Sequence, residues 1–253
     1  KIESYVTLSV LCRIYNTAFV ILRFVLQSNY NKRMQNNQYS PYYSQEAVQA
    51  EQARYMTKVF GWMSLALIVT AAVSFGVAST PQIVEIIFSS KVTFYGLMIA
   101  EVGVVWWLSS RVATMSATSA TVWFFLYSIL NGLTLSVIFF VFTADSIVYV
   151  FGIAASMFMV MAAYGYYTKK DLTSWGSLLF MGVIGLVIAG VVNIFLRSDM
   201  FGMIISSIGV LIFVGLTAYD TQKIKEMNII GNEGTDEDHK EAIMGALTLY
   251  LDF

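Results

Sequence analysis

The sequence predicts an all-α, polytopic membrane protein, and three observations support this prediction. Of the 253 residues, 57% are hydrophobic and only 12% are charged, which leaves too little polar surface to cover a water-soluble globule. The apolar residues are gathered in blocks of about 20, the length of a helix that crosses about 30 Å of hydrocarbon. Both prolines, Pro41 and Pro81, fall outside these blocks, and no block alternates as a strand would.

Six apolar blocks follow the polar stretch 42–58. They cover residues 59–79, 92–110, 117–142, 146–167, 175–196 and 200–219. Each block is long enough to span a bilayer, and the connections between them are short. We therefore expect residues 53–253 to form one transmembrane domain.

The N-terminal region, residues 1–52, is predicted to be polar or poorly ordered. It contains one apolar stretch, 6–26, which Arg13 and Arg23 interrupt. Three interpretations of this stretch stay open: an interfacial amphipathic helix, a signal-like segment, or sequence upstream of a start at Met34. The last of these is preferred.

Basic residues in the short loops predict the orientation. A cytoplasmic N-terminus leaves seven basic residues inside and only Lys91 and Arg197 outside. The seven are Arg54, Lys58, Arg111, Lys169, Lys170, Lys223 and Lys225. The sequence therefore predicts a multi-pass protein of the inner (cytoplasmic) membrane.

The last segment, 242–253, becomes apolar again after the polar stretch 228–240. About 12 residues are too few to cross a bilayer. The segment is either re-entrant or the first part of a seventh helix that continues beyond the given sequence, and we expect the second.

Several classes of function are excluded by the residue counts. Cys12 and His239 are the only cysteine and histidine, so a disulfide, a CxxC pair, a zinc site built on cysteines and a histidine triad are ruled out within one chain. The net charge of -1 gives no reason to expect nucleic acid as a partner.

Four ionisable residues lie in or beside apolar blocks: Glu101, Arg111, Asp220 and Asp252. A carboxylate at this depth costs a few kcal/mol, so it is expected to face the bundle interior, to have a partner or to stay protonated. Asp220 ends the sixth block at the depth predicted for Arg111. If the last segment packs in the bundle centre, Asp252 approaches Asp220, and two such carboxylates share a proton.

Four stretches of the sequence resemble the transmembrane Bax inhibitor motif family. They are 98–112 (MIAEVGVVWWLSSRV), 127–139 (YSILNGLTLSVIF), 218–225 (AYDTQKIK) and 246–253 (ALTLYLDF). The resemblance implies a bacterial member with six helices in two triplets around a partial central seventh helix. It also implies a proton-sensitive calcium leak in which Asp220 and Asp252 form the aspartyl pair, Arg111 is the counter-ion and Glu101 lines the ion pathway.

Three hypotheses of function follow. The first is a pH-sensitive cation pathway, chiefly for calcium, in which Asp220 and Asp252 also serve as calcium ligands, because oxygen atoms suit this ion. The second is a regulatory protein that binds another membrane protein, such as a protease. The third, intramembrane aspartyl proteolysis, lacks the Gly-x-Gly before Asp252 and a Pro-Ala-Leu stretch. We therefore expect no enzymatic activity, no cofactor, and the lipid bilayer and calcium as partners.

Overall fold

A computed structural model describes residues 44–88, 90–112 and 114–253, and this part of the chain is helical, with short connections. Its helices are α1 (Gln45–Ala78), α2 (Pro81–Phe88), α3 (Lys91–Arg111), α4 (Ala117–Leu135), α5 (Ile138–Val141), α6 (Ala144–Tyr167), α7 (Thr173–Leu196), α8 (Asp199–Met227) and α9 (Asp236–Asp252). The apolar stretch 6–26 lies outside the described residues. Helix α1 begins within the predicted N-terminal region, and the domain boundary at residue 53 stays a prediction.

Hydroxyl side chains begin five of these helices. Ser44, Ser116, Thr143, Ser198 and Thr235 each accept a hydrogen bond from a backbone N–H three residues ahead, which would otherwise have no partner in the helix. The first turn of α9 also holds three acidic residues, which the positive end of the helix dipole stabilises. These caps explain why the helices begin where they do.

Five helices of the described chain are long and apolar enough to cross a membrane: Gln45–Ala78, Ala117–Val141, Ala144–Tyr167, Thr173–Asn193 and Asp199–Met227. The protein is therefore a membrane protein with several spans. Helix α3 covers the second predicted block but is not among the five, so a total of six spans in two triplets stays a prediction. The third block is broken near Ser136, where α4 ends and the short α5 follows.

Helix α9 lies in the middle of the bundle, although it is the least hydrophobic of the long helices. It contacts α1, α4 and α8, while α1 and α3 pack on α4, and α6 and α7 pack on α8. Of its 17 residues, 13 are buried, whereas α6 buries only Ala162 and Gly165 among its 24. The outer helices thus offer apolar side chains to lipid, and α9 fills the centre.

Candidate functional site

The two predicted aspartates are buried on neighbouring helices. Asp220 on α8 is 5% exposed and Asp252 at the end of α9 is 6% exposed. Both lie in segments with few exposed side chains, so neither carboxyl group has much access to bulk solvent. The structure therefore confirms their burial, while their predicted roles as proton-sharing pair and calcium ligands stay predictions.

The register of α8 and α9 brings these aspartates to similar depths. A Cβ on Gly245 would lie 2.9 Å from a methyl group of Ile224, so these two residues face each other. Leu251 packs on the cluster of Val183 and Leu216. In an antiparallel pair, the contact of Gly245 with Ile224 sets Asp252 level with about residue 217, within about one helical turn of Asp220 along the axis.

The segment around Asp220 is held tightly by α6 and α7. Gly165 of α6 contacts the carbonyl group of Ala218, and Gly176 of α7 contacts the ring of Tyr219, so closely that neither glycine has room for a Cβ. Gln222 accepts a hydrogen bond from the backbone N–H of Leu172 at 2.9 Å and donates one to the carbonyl oxygen of Lys170 at 2.9 Å. Small residues and one amide thus fix the depth of Asp220 in the bundle.

Arg111 lies at the end of α3, next to Trp107 on the same helix. Its side chain is exposed at the end of α3, and its guanidinium lies 5.2 Å from the centre of the Trp107 ring. This is a cation–π contact within one helix. The role of Arg111 as a counter-ion to Asp220 stays a prediction.

Glu101 lies on the wall of a large cavity inside the bundle. The residue is 3% exposed, and its carboxylate accepts a hydrogen bond of 2.6 Å from the hydroxyl group of Thr134. The cavity has a volume of about 760 Å³ and is bounded by parts of α1, α3, α4, α5, α6 and α9, with Phe213 of α8. Its wall is mostly apolar, and Leu251 and Phe253, the neighbours of Asp252, also line it.

Neutral polar residues around Glu101 were missed by the sequence interpretation. Tyr250 and Thr70 share a hydrogen bond of 2.6 Å, and Asn131 lies on the same wall as Tyr127. The sequence did hold a signal, because polar residues spaced three or four apart inside an apolar block mark one face of a helix. Tyr127, Asn131 and Thr134 have this spacing on α4.

A second polar region lies at the end of the bundle where α1 begins, and we call it the polar end. It consists of the first turns of α1, the loop 228–235 and the first turn of α9. Lys58 forms an ion pair of 2.6 Å with Asp238, whose side chain is only 2% exposed. Glu51 accepts a hydrogen bond of 2.8 Å from the backbone N–H of Gly231.

An exposed ion pair completes the polar end. Arg54 donates two hydrogen bonds, of 2.8 and 2.9 Å, to the carboxylate of Glu233. These bonds lower the pKa of Glu233 from its usual value, because they stabilise the ionised form. The contacts bring basic residues that were predicted on one side of the membrane to one end of the bundle, and the cytoplasmic orientation itself stays a prediction.

The described segments contain no group of three or more His, Cys, Asp and Glu residues that could hold a metal ion. Calcium binding by Asp220 and Asp252 would therefore rest on two carboxylates and on neutral oxygen atoms.

Comparisons with known proteins agree with the resemblance seen in the motifs. The family model described as inhibitor of apoptosis-promoting Bax1 matches residues 52–253. The inner membrane protein YbhL of Escherichia coli K12 is 47% identical over 200 residues, covering 79% of this chain and 86% of that protein. Uncharacterized proteins of Borreliella burgdorferi and Rickettsia prowazekii are 42% and 41% identical, each covering 79% of this chain and 86% and 84% of those proteins. The chain therefore belongs to the Bax inhibitor motif family.

Proposed function

We propose that this protein is a pH-sensitive cation pathway, chiefly for calcium, that is gated by protonation of the pair Asp220 and Asp252. The observation that carries the proposal is the burial of both aspartates on the adjacent helices α8 and α9, about one helical turn apart in depth. Two carboxylates in a low-dielectric bundle cannot both ionise cheaply, so binding of one proton between them changes the charge inside the bundle.

The closed state is held by hydrogen bonds within the protonated pair. Loss of the proton leaves two negative charges, which repel each other and attract a cation. Asp252 is flanked by Leu251 and Phe253, which line the cavity, so movement at the end of α9 is passed directly to the cavity wall. Glu101 supplies an acidic group farther along the same space.

The proposed location of the protein is the bacterial cytoplasmic membrane. The E. coli relative is named as an inner membrane protein, which supports a place for this chain in a bacterial cytoplasmic membrane. The distribution of basic residues in the short loops, seven on one side of the membrane and two on the other, supports a cytoplasmic N-terminus. We propose no enzymatic activity and no bound cofactor.

The test is calcium flux in proteoliposomes that contain only this protein. We expect flux to change between about pH 6 and pH 8, and to lose this dependence when Asp220→Asn and Asp252→Asn are combined. Asp145→Asn is the matched control, because Asp145 is an exposed aspartate at the start of α6 and its substitution should leave the pH profile unchanged.

Two results would contradict the proposal: flux that ignores pH, or pH-dependent flux that survives the double substitution. Absence of flux, together with a membrane protein that co-purifies in mild detergent, would favour the regulatory hypothesis instead. In that case the two aspartates would stabilise the bundle without gating it.

A further inference from the structure

The polar part of the cavity wall contains oxygen atoms from three helices. Glu101 of α3 provides a carboxylate, and Ser74 of α1 and Asn131 of α4 provide a hydroxyl and an amide oxygen. Tyr127 and Tyr250 also line this wall. The wall therefore offers a hard cation the type of ligand that it prefers.

Two of these oxygen atoms have no hydrogen-bond partner in the described protein, although both are buried. They are Oγ of Ser74 and Oδ1 of Asn131, in residues that are 4% and 7% exposed. A buried polar atom without a partner typically costs about 1–3 kcal/mol. Because both residues line the cavity, a polar ligand inside it can reach these atoms and supply the missing partner.

The helix packing places Ser74 and Asn131 at about the level of Glu101 in the bundle. A Cβ on Gly132 would lie 2.7 Å from the carbonyl oxygen of Thr70 and 2.8 Å from Cβ of Val73, so α1 and α4 touch at this level. Asn131 and Ser74 are the sequence neighbours of Gly132 and Val73. Thr134, which donates to Glu101, lies three residues from Asn131 and so on the same side of α4.

The charge of the wall selects the class of cation. Glu101 is the one acidic residue among the residues that line the cavity. One carboxylate balances one positive charge, whereas a resident divalent ion would leave an uncompensated charge in a low-dielectric space. An alkali cation, bound by one carboxylate and several neutral oxygen atoms, matches the single acidic residue of the wall and gives the orphaned oxygen atoms a partner.

We infer that the cavity holds a binding site for one alkali cation, formed by the carboxylate of Glu101, Oδ1 of Asn131 and Oγ of Ser74. The site is separate from the aspartyl pair and does not depend on calcium flux. It gives the protein a response to sodium or potassium in addition to the proposed response to protons.

The test measures thermal unfolding of the purified chain in detergent, in a calcium chelator, with sodium chloride or potassium chloride compared with choline chloride at equal ionic strength. Binding to the folded state alone raises the unfolding midpoint by about 3–6 °C when the salt is about tenfold above its dissociation constant. We expect this rise with at least one alkali salt and not with choline.

Three variants locate the site. Ser74→Ala and Asn131→Leu remove the orphaned oxygen atoms. Both should fold, because Asn131→Leu gives up only the long hydrogen bond of 3.4 Å that Nδ2 donates to the hydroxyl group of Tyr127. Glu101→Gln removes the charge but keeps an acceptor for Thr134. All three should reduce the rise to that seen in choline. Ser206→Ala, which removes an exposed hydroxyl on α8 that bonds to its own helix, is the control that should keep the full rise.

The proposal is overturned if alkali and choline salts act equally on the wild-type chain, or if the rise persists in the three variants. Because this measurement contains no calcium gradient and leaves Asp220 and Asp252 intact, its failure is distinct from a failure of the proposed flux. A flux that tracks pH in a protein without alkali-specific stabilisation would keep the first proposal and remove this one.

Discussion

The polar end and the cavity wall each bury a carboxylate, but the hydrogen-bond donors of the two carboxylates differ. At the polar end, the buried carboxylate of Asp238 accepts from both Lys58 and the backbone N–H of Gly234. On the cavity wall, by contrast, the carboxylate of Glu101 accepts a hydrogen bond from the neutral hydroxyl group of Thr134. Both regions also bury polar atoms that have no partner among the described residues, in Ser74 and Asn131 on the wall and in Asn228 and Asn232 at the polar end. The polar end therefore joins α1 to α9 by an ion pair, whereas the cavity wall surrounds its carboxylate with neutral polar groups.

The largest expected loss of stability comes from removing the ion pair at the polar end. Lys58→Ala would leave the charge of Asp238, a side chain that is 2% exposed, without its cation. Removing one partner of a buried ion pair costs about 3–5 kcal/mol, and the partial exposure of Lys58 favours the lower value. We expect a loss of about 3 kcal/mol in the free energy of unfolding, measured by chemical denaturation in detergent.

Arg54→Ala is the matched control for that variant, because the pair of Arg54 and Glu233 is exposed. It should leave the midpoint of denaturation almost unchanged. Equal losses in the two variants would mean that burial does not distinguish the two ion pairs.

A smaller effect is expected where α6 touches the segment of Asp220. Gly165→Ala places a methyl group against the carbonyl of Ala218, and such overpacking costs about 1–3 kcal/mol. Gly185→Ala, on α7, has open space around the new methyl group and should be tolerated. Thermal unfolding of the two variants side by side checks the prediction, and equal stability would contradict the close approach of α6 and α8.

Tyr250→Phe tests a hydrogen bond on the cavity wall. It removes the hydroxyl group that shares a hydrogen bond of 2.6 Å with Thr70. Because Thr70 also lies within hydrogen-bond distance of backbone carbonyl oxygens of Ala66 and Ser128, the expected loss is only about 1 kcal/mol. Denaturation of the variant and of Tyr149→Phe, an exposed tyrosine on α6, gives the measurement and its control.

The smallest effect concerns pH at the polar end. The pKa of Glu233 is lowered in the folded chain, so its contribution to stability is present above the pKa of the unfolded chain and is lost as the pH falls through the folded value. Arg54→Gln should return the pKa of Glu233 toward its usual value. A carboxyl titration followed by NMR between about pH 3 and pH 6 checks this, and an unchanged pKa would refute the role of Arg54.

Hydropathy alone predicted much of this molecule. Five of the six predicted blocks correspond to helices that are long and apolar enough to cross a membrane, and the high cost of charge in lipid identified Glu101, Asp220 and Asp252 as interior residues. These predictions succeed because the bilayer imposes the same constraint on every residue at a given depth. Burial of both aspartates in the bundle follows from this constraint.

Other features depend on which helix faces meet, and hydropathy does not encode that. The cation–π contact of Arg111 with Trp107 of its own helix was not predicted, because a long side chain at a helix end has several partners within reach. The ion pair of Lys58 and Asp238 joins residues that are 180 positions apart in the sequence. Contacts of this range become visible only when the register of α1 against α9 is known.

We propose that Asp220 and Asp252 share one proton inside the bundle. Infrared spectra of the carboxyl groups, recorded in lipid while the pH is varied, test it most directly. We predict a signal from a protonated carboxyl group near neutral pH that disappears in each of Asp220→Asn and Asp252→Asn and remains in Asp145→Asn. Spectra of the two single variants that retain this signal unchanged would contradict the shared proton.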